Sequence, residues 1–134
     1  MKIPFIVLFA FFLASCTNTD DNTSDNNGNA RDYKQEMRDF VIGISKKAKA
    51  VDPEFAIIPQ NGIELVTSNG DANNIPDSSY LAAIDGNGQE DLFYGYDEDD
   101  EATPAEQTAY IRALLTISKK AGKTLLVTDY TWNA

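Results

Sequence analysis

An α/β fold made of parallel β/α units is the architecture this sequence predicts, and three observations carry the prediction. Short apolar runs stand at 55–59, within 84–94 and at 125–128, each about the length of a buried strand. A helical pattern precedes each run, and alternation of helix with buried strand marks a parallel sheet. Each run also leads into polar residues: Gln60-Asn61, Gln89-Glu90-Asp91 and Asp129-Tyr130. In parallel sheets, functional groups collect at the carboxyl ends of the strands, so these residues are the first candidates for chemistry.

Residues 1–15 stand apart from that fold. Lys2 is a short positive start and residues 3–13 are apolar. The stretch is too short to span a bilayer comfortably and reads as a signal sequence. Leu13-Ala14-Ser15-Cys16 resembles the lipobox of bacterial lipoproteins. That resemblance implies cleavage before Cys16, a lipid on Cys16 and attachment to a membrane through it. The implied location is the bacterial cell envelope, at the outer membrane or cell surface. Cys16 is the single cysteine, so no internal disulfide forms, and lipidation leaves no free thiol. Residues 16–30 read as a flexible polar tether: from 17 to 29 they are Thr, Asn, Asp, Ser and Gly, without apolar surface to offset ordering entropy.

The folded part is expected over 31–134. Tyr33, Met37, Phe40, Val41, Ile44, Ala48 and Val51 recur at helical spacing, predicting a helix over about 32–50 with Asp32 as N-cap. Asp52-Pro53 ends it, and a strand at 55–59 follows. Residues 63–66 read as one helical turn, and 76–83 as a short helix burying Tyr80 and Leu81. The middle strand falls either at 81–84 or at roughly 86–93. Thr103-Pro104-Ala105-Glu106 has the form of a capping box with proline at the first helical position. Tyr110, Ile111, Leu114, Leu115 and Ile117 give the next helix its apolar side, Gly122 its C-terminal cap, and a strand at 124–128 follows. Three parallel strands cannot close into a barrel. The chain is thus a small open sheet or a piece of something larger, with self-association through its open sheet edges expected.

The formal net charge is −10, and removing residues 1–15 leaves 10 basic against 21 acidic residues. Such a surface repels nucleic acid and anionic headgroups and favours neutral or cationic partners, amino sugars among them. The chain has no histidine, which excludes Ser-His-Asp and Cys-His nucleophile systems and histidine metal sites. Gly86-x-Gly88 has Asp91 where a dinucleotide motif needs its third glycine, and no Walker sequence occurs. Residues 97–101 are all acidic, but the calcium-loop glycine and glutamate positions hold Ala102 and Thr108, so the run reads as a solvated loop. No cofactor and no metal are expected. Carboxylate chemistry remains, and paired carboxylates are the usual means of glycoside hydrolysis.

Ile58-Pro59-Gln60-Asn61-Gly62, Gly88-Gln89-Glu90-Asp91-Leu92-Phe93-Tyr94 and Leu126-Val127-Thr128-Asp129-Tyr130 occur in that order. The set resembles glycoside hydrolase family 114, the endo-α-1,4-polygalactosaminidase-like extracellular proteins. The resemblance covers roughly 33–130. It implies a TIM-barrel fold, present here as a partial (β/α)8 fragment, and action on a galactosamine-containing polysaccharide. It also implies that Glu90 ends a barrel strand at the active-site face, as the general acid/base. Burial beside Leu92, Phe93 and Tyr94 is expected to raise its pKa. Asn61 and Tyr130 match polar positions at neighbouring strand ends and would hold sugar hydroxyls, with Gln60 and Asp129 as second choices. Independently of the resemblance, Tyr94, Tyr96, Tyr130 and Trp132 lie near the expected strand ends and offer aromatic faces for stacking on sugar rings. The family's earlier strand end, which supplies an acidic partner, has no counterpart between Cys16 and Arg31. Asp129 is the candidate to replace it. Three functions follow as expectations: a polygalactosaminidase-like lipoprotein inactive as a fragment, a non-catalytic glycan-binding lipoprotein, or a truncated product without independent function.

Overall fold

The computed structural model describes residues 31–132, and residues from Arg31 onward form one unit. The expected signal sequence, the expected tether and Cys16 lie outside the described residues. Helix α1 is Tyr33–Val51, and Asp32 caps it by accepting from Gln35 N at 3.0 Å. A 3-10 turn, Ile63–Val66, and a short helix α2, Ser78–Ala83, follow. Strand β1 is Gly86–Glu90, helix α3 is Ala105–Lys120 and strand β2 is Thr124–Thr128. Among the described residues no helix is long and apolar enough to cross a membrane.

β1 and β2 pair in parallel, Gly86 opposite Thr124 and Glu90 opposite Thr128. A Cβ on Gly86 would lie 2.7 Å from the Thr124 carbonyl oxygen, so the strands approach there only because glycine carries no side chain. The expected first strand at 55–59 does not form: the sheet has two strands, and this segment joins it only through an isolated bridge and a few backbone bonds. Gln60 bridges Gly88 in parallel, Gly88 N donates to Pro59 O at 2.8 Å and Asp85 N to Ile57 O at 2.8 Å. Pro59 has no amide hydrogen to give, and the Ile57 amide goes to the Asp85 carboxylate at 2.8 Å instead of to a neighbouring strand. Lys49 reaches from α1 to both oxygens of Asp85 at 2.8 Å and fastens the edge. The three extended segments therefore lie in chain order, as the helix-then-strand rhythm predicts. β1 is shorter than 86–93 because Asp91 takes a left-handed φ of 58°, which ends the extended run at Glu90.

The core lies against one side of this sheet, chiefly under β1. β2, expected to be a buried strand, is mostly exposed, because only Leu125 of its residues reaches the core and Val127 on the same face is 43% exposed. Ile57, Val66, Tyr80, Ile84, Leu92, Ile111 and Leu114 are buried, and Leu125 packs against them. Asn87 is buried on the same side, where its Oδ1 accepts from Ser118 Oγ of α3 at 2.7 Å. Leu126, on the opposite face by strand alternation, is half exposed.

Two sequence expectations need correction. The α1 stripe does not act as a single face: Val41 and Ala48 pack on the core, while Tyr33, Met37, Phe40, Ile44 and Val51 are exposed. The core-facing row is completed by Arg38 and Ser45, both buried. Arg38 donates to the carbonyls of Leu65, at 2.9 Å, and Thr67, and pairs with Asp77 at 3.5 Å. A polar residue can thus hold a core position when it satisfies the backbone of a buried loop. Second, Thr103 does not cap α3. The helix begins after Pro104, and the Thr103 hydroxyl donates to Asp91 O at 2.8 Å. At the other end, Gly122 N bonds to Lys119 O and Lys123 N to Ser118 O, both at 3.0 Å, the two bonds of a Schellman cap.

Candidate functional site

Glu90 ends β1, and its carboxylate is gripped from two sides. Asn61 Nδ2 donates to Oε2 at 2.9 Å and the Tyr130 hydroxyl donates to Oε1 at 2.7 Å. Asn61 Oδ1 also accepts from the Glu90 amide at 3.0 Å. Local backbone explains the aim of Asn61. Its φ is 58°, a left-handed value that asparagine tolerates, and its own amide donates to Gly88 O at 2.8 Å. The chain therefore leaves the first extended segment with the carboxamide turned back onto β1. Tyr130 follows β2 and is fixed by its backbone, N to Tyr94 O at 3.3 Å and O from Asp100 N at 2.9 Å.

These bonds hold the Glu90 carboxyl below the usual glutamate range, the Tyr130 bond contributing most and Asn61 next, with the nearby Gln60 side chain lowering it slightly further. The same bond pushes the Tyr130 hydroxyl up. The expectation of a raised Glu90 pKa is overturned. Solvent reaches this carboxylate, so desolvation is outweighed by donors that favour the ionised form.

Asp91 shows the opposite behaviour. Burial, then the charges of Glu90, Asp129 and Asp99, raise its pKa. Its Oδ1 is buried without a hydrogen-bond partner. Successive strand residues point to opposite faces, but the left-handed turn at Asp91 breaks that alternation. Both acidic residues line a cleft of about 220 Å³, together with Asn61, Glu64, Gln89 and Gln107. Gly95 permits this arrangement: its φ is 108°, and a Cβ would come within 2.8 Å of Asp91 Oδ1 and 3.1 Å of Tyr130 Cβ.

Of the residues singled out from sequence, Gln60, Asn61, Glu90 and Tyr130 meet around one carboxylate. Asp129 holds backbone instead, its Oδ1 accepting from Phe93 N at 2.8 Å and Tyr94 N at 3.2 Å. Tyr94 enters through that amide, with its side chain partly exposed. The acidic run is more than a solvated loop, because Asp100 Oδ1 accepts from Trp132 N and from Thr131 Oγ1. Among the described residues no group of three or more His, Cys, Asp and Glu is arranged to hold a metal ion. Glu64 and Gln107 were not legible from the sequence, since packing of the 3-10 turn against α3 brings them to the cleft. Asp91 did carry a signal, as the third member of the polar triplet that closes the middle run.

No known protein-family model matches the chain. An uncharacterized protein of Deinococcus radiodurans is 31% identical to it over 107 residues, which is 79% of this chain and 30% of that protein. The chain thus spans under a third of that relative's length. The fold itself is a partial α/β arrangement around a small parallel sheet.

Proposed function

We propose that this chain is a carbohydrate-active lipoprotein resembling the polygalactosaminidase-like hydrolases, and that its site is the cleft beside Glu90 and Asp91. The observation that carries the reading is the opposed pair of carboxyls. Two neighbouring acids whose surroundings drive their pKa values apart divide naturally into base and acid. Glu90, ionised and held by Asn61 and Tyr130, takes the role of base or nucleophile. Asp91, kept protonated more readily by burial, takes the role of proton donor to the leaving oxygen. This replaces Asp129 as the partner carboxyl, because Asp129 is occupied with the Phe93 and Tyr94 amides. In this reading the fold is a fragment of a β/α barrel, and the uncovered face bearing Leu126 is where further barrel wall would stand. That openness favours a second reading, glycan binding without turnover, since solvent reaches the Glu90 carboxylate.

Galactosamine oligosaccharides titrated into labelled protein are expected to shift the amides of Asn61, Glu90 and Tyr130. Glu90→Gln should weaken that binding. No binding at all would sink both readings. Release of reducing ends, lost in both Glu90→Gln and Asp91→Asn, supports catalysis, whereas binding without release supports the second reading. Lipid attachment is tested separately: globomycin should cause the precursor to accumulate, and metabolic lipid label should vanish in Cys16→Ala. A protein secreted free and unchanged by Cys16→Ala would refute the anchor.

A further inference from the structure

Helix α1 carries a second apolar row that the core does not use. Tyr33, Met37, Phe40, Ile44 and Val51 are 71%, 50%, 63%, 43% and 88% exposed. Their spacing alternates four and three, with Lys47 filling the one remaining position of the series. That alternation is the seam of a two-helix coiled coil, where such residues interlock with a facing helix. An ordinary surface helix has one apolar stripe and a polar back; α1 has Val41 and Ala48 on the core and this row on solvent.

We propose that this row is the docking face for α1 of a second copy of the chain, the two helices packing antiparallel. Charge favours that partner and that direction. In the exposed first half, Asp32, Glu36 and Asp39 outnumber Arg31 and Lys34, with Arg31 holding Glu36 Oε1 at 2.6 Å and leaving its second oxygen for a partner, whereas the exposed second half, before the cap, carries Lys46 and Lys47 and no acid. Antiparallel pairing sets each acidic half against the other copy's lysines, and a parallel pair would set like against like. It also places Phe40 opposite Ile44, Tyr33 opposite Val51, and Lys47 beside Met37 and Glu36. Gly43 lies near the centre of the crossing, with no atom within 4 Å of where its Cβ would be, so the two backbones can approach there. Opposed helix dipoles add in the same sense. The contact is distinct from association through the open edge of β2.

The test is sedimentation equilibrium of the full chain in density-matched detergent, with reductant present to exclude a Cys16 disulfide. A monomer–dimer equilibrium is expected. Phe40→Glu should abolish the dimer without loss of monomer helicity, because Phe40 makes no use of the core. Glu36→Lys and Lys47→Glu should each weaken association, by about fivefold on the scale of an exposed ion pair, and the double exchange should restore it. A monomer at every concentration overturns the proposal. So does a dimer indifferent to Phe40→Glu, which would place the contact at the sheet edge, or a double exchange no better than the single ones.

Discussion

The carboxamide of Asn61 bonds Glu90 twice, taking the Glu90 amide hydrogen on its oxygen and giving its own to the Glu90 carboxylate. One side chain thus fixes both the backbone and the charge of the strand end. The Tyr130 hydroxyl supplies the third bond, from the far side of the sheet. The site spans all three extended segments, so it exists only when they are assembled.

Removing the Tyr130 hydroxyl should therefore free Glu90 electrostatically. Its depressed pKa has the Tyr130 bond as the largest cause. In Tyr130→Phe, the Glu90 carboxyl should titrate at higher pH than in the parent, as followed by carbon-detected NMR. Asn61→Ala should move it in the same direction by less. A Glu90 titration unchanged in both variants would refute the described geometry.

Asp85 should make the fold acid-sensitive. Its pKa is lowered, first by Lys49 and then by the Ile57 amide. A carboxylate depressed in the folded state contributes stability above its unfolded pKa, about 3.9, and loses it as pH falls through the folded value. Thermal melts between pH 6 and about 2 should show stability falling below about pH 4 in the parent. Asp85→Asn should start lower and fall less steeply, because it removes that titration along with the Lys49 pair.

Tyr80 should behave in the opposite sense with pH. It is fully buried, its hydroxyl has no hydrogen-bond partner, and burial pushes its pKa up to about 12. A group raised in the folded state contributes below its unfolded pKa, near 10, and that contribution disappears as pH rises toward the folded value. Tyr80→Phe should leave neutral-pH stability unchanged or raise it by up to about 1 kcal/mol, since an unsatisfied buried hydroxyl is costly. It should also flatten the loss of stability above pH 10. A clear fall at neutral pH would mean that the hydroxyl has a partner.

The Ser118–Asn87 bond lies wholly in the core, with both residues at 0% exposure. Ser118→Ala should cost about 1–3 kcal/mol by orphaning the Asn87 oxygen, whose amide nitrogen is already unpartnered. Pairing it with Asn87→Val should recover most of that loss in denaturant unfolding, because an apolar pair leaves nothing unsatisfied. Additive losses in the double variant would contradict this.

Local sequence pattern is enough to set the order of the elements. Apolar periodicity placed α1, α3 and β2 to within a residue or two, and the cap residues Asp32 and Gly122 act as their chemistry requires. It also placed Gln60, Asn61, Glu90 and Tyr130 at strand ends, because residue position along a strand is a local property. What surrounds them depends on long-range packing. The sign of the Glu90 shift depended on whether donors or apolar groups reach its carboxylate, and those donors come from residues 29 and 40 positions away. Asp129 and Thr103 likewise found backbone partners across loops that no local pattern encodes. Periodicity could not divide the α1 stripe either: spacing tells which residues share a helix surface, and only packing tells which part of that surface meets the core.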